Sequence, residues 1–179
     1  MTTLNERTEI DLYDDVSNPL DGIEEIMLNN DWAFDRRNED ELTVHVTGKS
    51  GHYKMVFIWQ EDYTAMQFCC APDLTVSPNK LDDAARIINR INSQLWLGHF
   101  DIRTQDDDAG TAAHVPCFRH TSLFRGMTET SGVDHMEDLI DIAISECERY
   151  YLTFDLLSKS YSQDNKDISL AMMDVAGQS

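Results

Sequence analysis

The chain has 179 residues, 41% of them apolar and 26% charged, with 33 carboxylates against 14 cationic side chains and a formal net charge of −19. That length fits one domain with tails, and a folded part of ~140 residues hides roughly two-thirds of its unfolded surface, enough for a true core. A field this negative repels phosphate backbones and anionic lipid, which argues against nucleic acid and membrane surfaces as partners and for solubility or basic partners.

Residues 1–17 read as an acidic arm, since Glu6 to Asp15 holds few apolar side chains. No apolar run follows Met1, so no secretory leader is expected, and no stretch approaches the ~20 apolar residues of a membrane helix. A cytoplasmic protein is expected, with Cys69, Cys70, Cys117 and Cys147 as thiols rather than bridges.

Asn18-Pro19 predicts a helix start, because Asn caps and Pro fits the first turn. Leu20, Ile23, Ile26 and Met27 then share one side at helical spacing. Trp32 and Phe34 alternate with Ala33 and Asp35 as a first extended stretch. Leu42, Val44 and Val46 alternate with Thr43, His45 and Thr47, the pattern of a half-buried strand. Gly48-Lys49-Ser50-Gly51 reads as a hairpin turn whose glycines supply positive φ. Tyr53 to Trp59 reads as a central strand, and Ala65 to Ala71 as a third that Pro72 ends.

Pro78 opens a second helix, with Leu81, Ala84, Ala85, Ile88, Ile91 and Leu95 as its stripe and Gly98 as its left-handed stop. His99 to Thr104 is a strand, Asp106 to His114 an acidic loop, and Val115 to Arg125 another strand. Ser131 to Ser160 is a long helix. Along it Met136, Ile140, Ala143, Cys147, Tyr150, Phe154 and Leu157 recur in steps of four and three, a heptad seam. Leu139, Ile142 and Tyr151 widen it. Residues 161–179 form a polar tail around the patch Ile168 to Met173. The predicted domain spans 18–160 in the order α-β-β-β-α-β-β-α, an α+β fold with helices on a largely antiparallel sheet.

Asp31-Trp32-Ala33-Phe34, Glu41-Leu42-Thr43-Val44, Trp96-Leu97-Gly98-His99-Phe100-Asp101, and Phe118-Arg119-His120 through Arg125-Gly126 occur in series. On these words, residues 18–151 resemble the YbjN family of bacterial sensory-transduction regulators, whose fold is similar to that of type III secretion chaperones. The resemblance implies a compact, commonly dimeric α+β domain that works through protein contacts, with no agreed catalytic residues to carry over.

The residues themselves point away from enzyme chemistry. Cys117-x-x-His120 has ligand-like spacing, but residues three apart on a strand face opposite sides and cannot share one zinc ion. Cys69 and Cys70 point apart for the same reason, and no metal or cofactor is expected. A Cys117–His114 nucleophile would need a positive setting, and the composition of this acidic chain argues against one. Asp106-Asp107-Asp108 lacks EF-hand spacing, and no P-loop or G-x-G-x-x-G is present.

Three candidate surfaces remain. Strands of five to seven residues reach only ~25 Å, so the last helix is expected to carry more apolar surface than its sheet covers and to pair two copies through its seam, as a homodimer. Arg119, His120 and Arg125 are a candidate sheet-face contact for a partner's carboxylate, with internal pairing of the arginines to Asp101 as the plainer reading. Trp96, His99 and Phe118 are candidates for a small-molecule pocket between the second helix and the sheet. The expected function is a non-enzymatic, chaperone-like protein-binding regulator, with small-molecule sensing as the alternative.

Overall fold

In a computed structural model, the structure describes residues 18–106 and 112–159. The predicted arm 1–17, the tail 161–179 and most of the acidic loop lie outside the described residues. Within them the order is α1 (Leu20–Asn29), β1 (Ala33–Asn38), β2 (Glu41–Thr47), β3 (His52–Gln60), β4 (Ala65–Pro72), α2 (Leu81–Asn92), β5 (His99–Asp106), β6 (Ala112–Leu123) and α3 (Glu129–Ser158). The six strands form one antiparallel sheet in the order β1-β2-β3-β4-β6-β5. The α+β fold is therefore as the pattern predicts, and the extended stretch at Trp32 to Asp35 is a full edge strand.

Alternation decides what each face of the sheet carries. Leu42, Val44, Tyr53, Met55, Phe57, Phe68, Cys70, Phe118 and Phe100 stand opposite one another across the strands and are all buried. All three helices cover this face. Arg36 of β1 reaches Asp21 and Glu24 of α1, Asn92 at the end of α2 bonds the backbone of Phe100, and the Cys147 thiol of α3 donates to the Cys70 carbonyl. One core joins them.

α3 starts where Thr128 caps it, the Thr128 hydroxyl accepting from the Ser131 N–H. It runs along β6. His135 meets Ser122 at 2.8 Å near one end, and the Leu157 carbonyl accepts from the Ser77 N–H at the other. Every seam residue lies inside this packing: Met136, Ile140, Ala143, Cys147, Tyr150, Phe154 and Leu157 are at most 1% exposed. The expected association surface is corrected on this point. β6 has 12 residues and extends about 40 Å, close to the ~45 Å of a 30-residue helix. The first turns of α3 also rest on α1, where Val133 sits against Gly22. The chain covers its own seam.

Two local expectations change. α2 ends at Asn92, short of Leu95, and the left-handed Gly98 (φ 68°) lies in the turn into β5. A Cβ there would stand 2.2 Å from the Phe118 ring. Gly48 and Gly51 do not adopt positive φ. They are small because α3 approaches the hairpin: a Cβ on Gly51 would lie 2.6 Å from the Tyr151 ring, and one on Gly48 2.2 Å from the Glu148 carboxylate.

Both edges of the sheet are occupied locally. On β1 a bulge breaks the register between Arg36 and Asn38, and the Arg36 guanidinium donates to the carbonyls of Asn38 and Glu39. On β5 the Asn92 side-chain amide acts as a short substitute strand. It accepts from the Phe100 N–H at 2.7 Å and donates to the Phe100 carbonyl at 3.0 Å.

Candidate functional site on the open sheet face

The face opposite the helices carries Thr43, His45, Lys54, Val56, Ile58, Gln67, Cys69, Cys117, Arg119, Thr121, His99, Asp101 and Arg103, again by alternation. No helix covers it among the described residues. In a chain of net charge −19, this face carries Lys54, Arg103 and Arg119 around the half-buried Val56 and Ile58, with Asp35, Glu41 and Asp101 on the same face.

Register builds the centre of this face. Cys69 of β4 stands beside Arg119 of β6, and Arg119 stands beside His99 of β5. Arg119 donates to Asp101 at 3.0 Å, the internal pairing that the sequence suggested. Arg103 Nη1 approaches Cys69 Sγ at 3.6 Å. Cys117 is the diagonal neighbour of Cys69 on this face, its own thiol donating to the Phe118 carbonyl at 3.4 Å. The adjoining Cys117 thiol, then the charges of Arg103 and Arg119, hold the Cys69 thiol below its ordinary range although burial opposes them. Cys117 moves the opposite way, pushed up first by the neighbouring Cys69 and then by burial. The surroundings favour ionisation of Cys69 over Cys117, because the guanidinium touches Cys69 and Cys117 is only 1% exposed.

Sequence-predicted site residues separate here. Arg119 lies on the open face, His120 on the helix side, and Arg125 beyond the end of β6. The three therefore do not form one sheet-face contact, because neighbouring strand residues point apart. His120 is half-buried, and burial, then the nearby His135 and His99, lower its proton affinity. Cys117 and His120 also occupy opposite faces, as do Cys117 and His114.

The expected pocket is corrected as well. Trp96 is 84% exposed, His99 is on the open face, and Phe118 is fully buried among Phe100 and its neighbours. Phe100 meets Phe118, Tyr150 and Phe154 with ring centroids 5.1–5.8 Å apart, so β5, β6 and α3 close on aromatic packing around Phe118. A shallow cleft of about 460 Å³ lies elsewhere, at the turn between β1 and β2, lined by Asn38, Glu39, Asp40, Glu41, Ile58, Trp59 and Gln60.

The Cys69–Cys117 contact was missed from sequence. The two residues are 48 positions apart, and only the register of β4 on β6 puts them on one face.

No curated protein matches the chain. Among solved structures it is similar to "YbjN, a putative transcription regulator from E. coli", with 18% identity and a TM-score of 0.46 over 74% of this chain and 93% of that one. The sequence model of the YbjN family, described as "Putative bacterial sensory transduction regulator", matches residues 19–156. By that match over most of its length, the chain belongs to the YbjN family.

Proposed function

We propose that this protein is a non-enzymatic regulator that docks an acidic segment of another protein on the open face of its sheet. The supporting observation is the contrast between the two faces. Three helices bury one of them, whereas the other holds Lys54, Arg103 and Arg119, the carboxylates Asp35, Glu41 and Asp101, and half-buried aliphatic side chains, with no covering helix among the described residues. A strongly acidic molecule that keeps Lys54, Arg103 and Arg119 on one surface offers a carboxylate-bearing chain a local attraction against a repulsive surround. The sheet face, not the helical seam, is the docking element in this reading.

A photo-reactive side chain at Thr121, on the open face, is compared with one at Asp138, on the outer side of α3. Capture at Thr121 of a carboxylate-rich segment, whose synthetic peptide binds at least ~10-fold more weakly to Lys54→Glu (about 1.4 kcal/mol), supports the proposal. Capture from Asp138 alone, or peptide binding indifferent to Lys54→Glu, rejects it.

A further inference from the structure

The four cysteines lie back to back across β4. Cys70 faces the core, its sulfur 3.8 Å from that of Cys147 and both fully buried. Cys69 faces the other way, 8% exposed, toward Cys117 and two guanidinium groups. Two thiol pairs of one chain thus sit in opposite settings. The inner pair has neither solvent nor a cation near it, and its hydrogen bond to Cys70, then burial, raises the Cys147 thiol well above its ordinary range. In the outer pair Cys69 is touched by the Arg103 guanidinium and is the more exposed of the two, at 8% against 1% for Cys117.

We propose that Cys69 is a peroxide-oxidation site and that Cys117 is its resolving thiol. A thiolate, not a thiol, attacks peroxide, and reactive cysteines sit in electropositive, partly exposed surroundings. Cys69 has those surroundings from every neighbouring strand: Arg103 and Asp101 from β5, Arg119 and Cys117 from β6, and Val56 and Lys54 from β3. Asp101 is engaged by Arg119, which limits its repulsion of a thiolate.

The chemistry balances with hydrogen peroxide as the oxidant. The Cys69 thiolate forms an S–O bond as the O–O bond breaks, and the departing hydroxide takes up a proton and leaves as water. Cys117 then attacks the Cys69 sulfur; an S–S bond forms, the S–O bond breaks, and the Cys117 proton leaves with the oxygen as a second water. Two thiols lose two electrons and one peroxide gains them. Arg103 and Arg119 hold the thiolate in the first step, while the register of β4 on β6 places the second thiol diagonally beside the first on the same face. Diagonal strand neighbours stand ~7–8 Å apart at Cα, somewhat beyond the usual disulfide span of ~4.4–6.8 Å, so closure needs a local backbone shift of about 1 Å along the paired strands and leaves a bond open to reduction.

The inference is independent of the docking proposal, since its readout is the state of each sulfur. The full chain is treated with hydrogen peroxide, blocked with an alkylating agent and mapped by peptide mass spectrometry. A Cys69–Cys117 linkage appearing first, with Cys70 and Cys147 still alkylated, is the expected result. In Cys117→Ser a sulfenic-acid probe should label Cys69. Should that variant fold poorly, alkylation of the untreated chain against pH serves instead: Cys69 should react at least ~10-fold faster than the other three at neutral pH, with a midpoint below the ordinary thiol value of ~8.5. Arg103→Gln should slow it ~10-fold, equal to one pH unit of proton affinity. First oxidation at Cys70 or Cys147, a Cys69 sulfenic acid that Cys117 never resolves, or a Cys69 midpoint at or above the ordinary value would overturn the proposal.

Discussion

Glu148 of α3 ties the helix to the β2–β3 turn with one carboxylate. Its Oε1 accepts from the N–H groups of Lys49 (2.6 Å) and Ser50 (3.2 Å), and its Oε2 from the Ser50 hydroxyl. Burial pushes the Glu148 carboxyl up, but hydrogen bonds from Ser50 and Lys49 outweigh it and hold it below the usual carboxylate range. Because the folded chain binds this proton less readily than the unfolded one, the stabilisation is present above the unfolded value of ~4.3 and lost as pH falls through the folded value. Glu148→Gln should therefore cost about 1 kcal/mol at pH 7, lowering Tm by ~3 °C, and the gap from the parent should shrink in acid. Equal Tm values at pH 7 would show that the clamp contributes nothing. At this scale the sequence is legible where partners are close in the fold's alternation, as with Arg119 and Asp101. It is silent where a side chain meets a turn a hundred residues away, as with Glu148 and Lys49.

Among the elements, α3 carries the largest departure from expectation. Its apolar seam was readable from the spacing of Met136 to Leu157, and its helix boundaries fall two residues from those predicted. What covers the seam was not readable, because periodicity reports that a stripe must be hidden and not what hides it. The answer depended on the length of β6 and on α1 lying beside the first turns. Ile140→Ala should thus act as a core truncation, destabilising the chain by ~2–5 kcal/mol without changing its mass in solution. Denaturant midpoints with light scattering check this; a change of mass at unchanged stability would return the seam to an intermolecular role. The end of α2 has a similar lesson. The stripe runs on to Leu95, yet the helix stops where Asn92 turns its amide to β5, a tertiary contact that outweighs local propensity.

At the scale of the whole molecule, the α+β class and the strand-and-helix order followed from alternating and helical periods, while the sheet order β4-β6-β5 did not. Which strand lies beside β4 is set by how α2 carries the chain across, and spacing alone holds no record of that. The net charge of −19 makes a further demand on the folded state, since like charges repel more strongly when compact. Raising salt from ~0.01 M to ~0.15 M, which shortens the screening length from ~30 Å to ~8 Å, should raise Tm by a few degrees. A flat or falling Tm would mean that local ion pairs already offset the repulsion. The Asn92 plug on β5 and the bulge on β1 bear on how this molecule meets others. A stray extended peptide finds few idle amides along either rim at those points, so crowding does not readily zip neighbours into a shared ribbon. Whatever engages this protein is steered toward broadside contact with side chains, where identity can be read, and away from the indiscriminate grip of backbone on backbone.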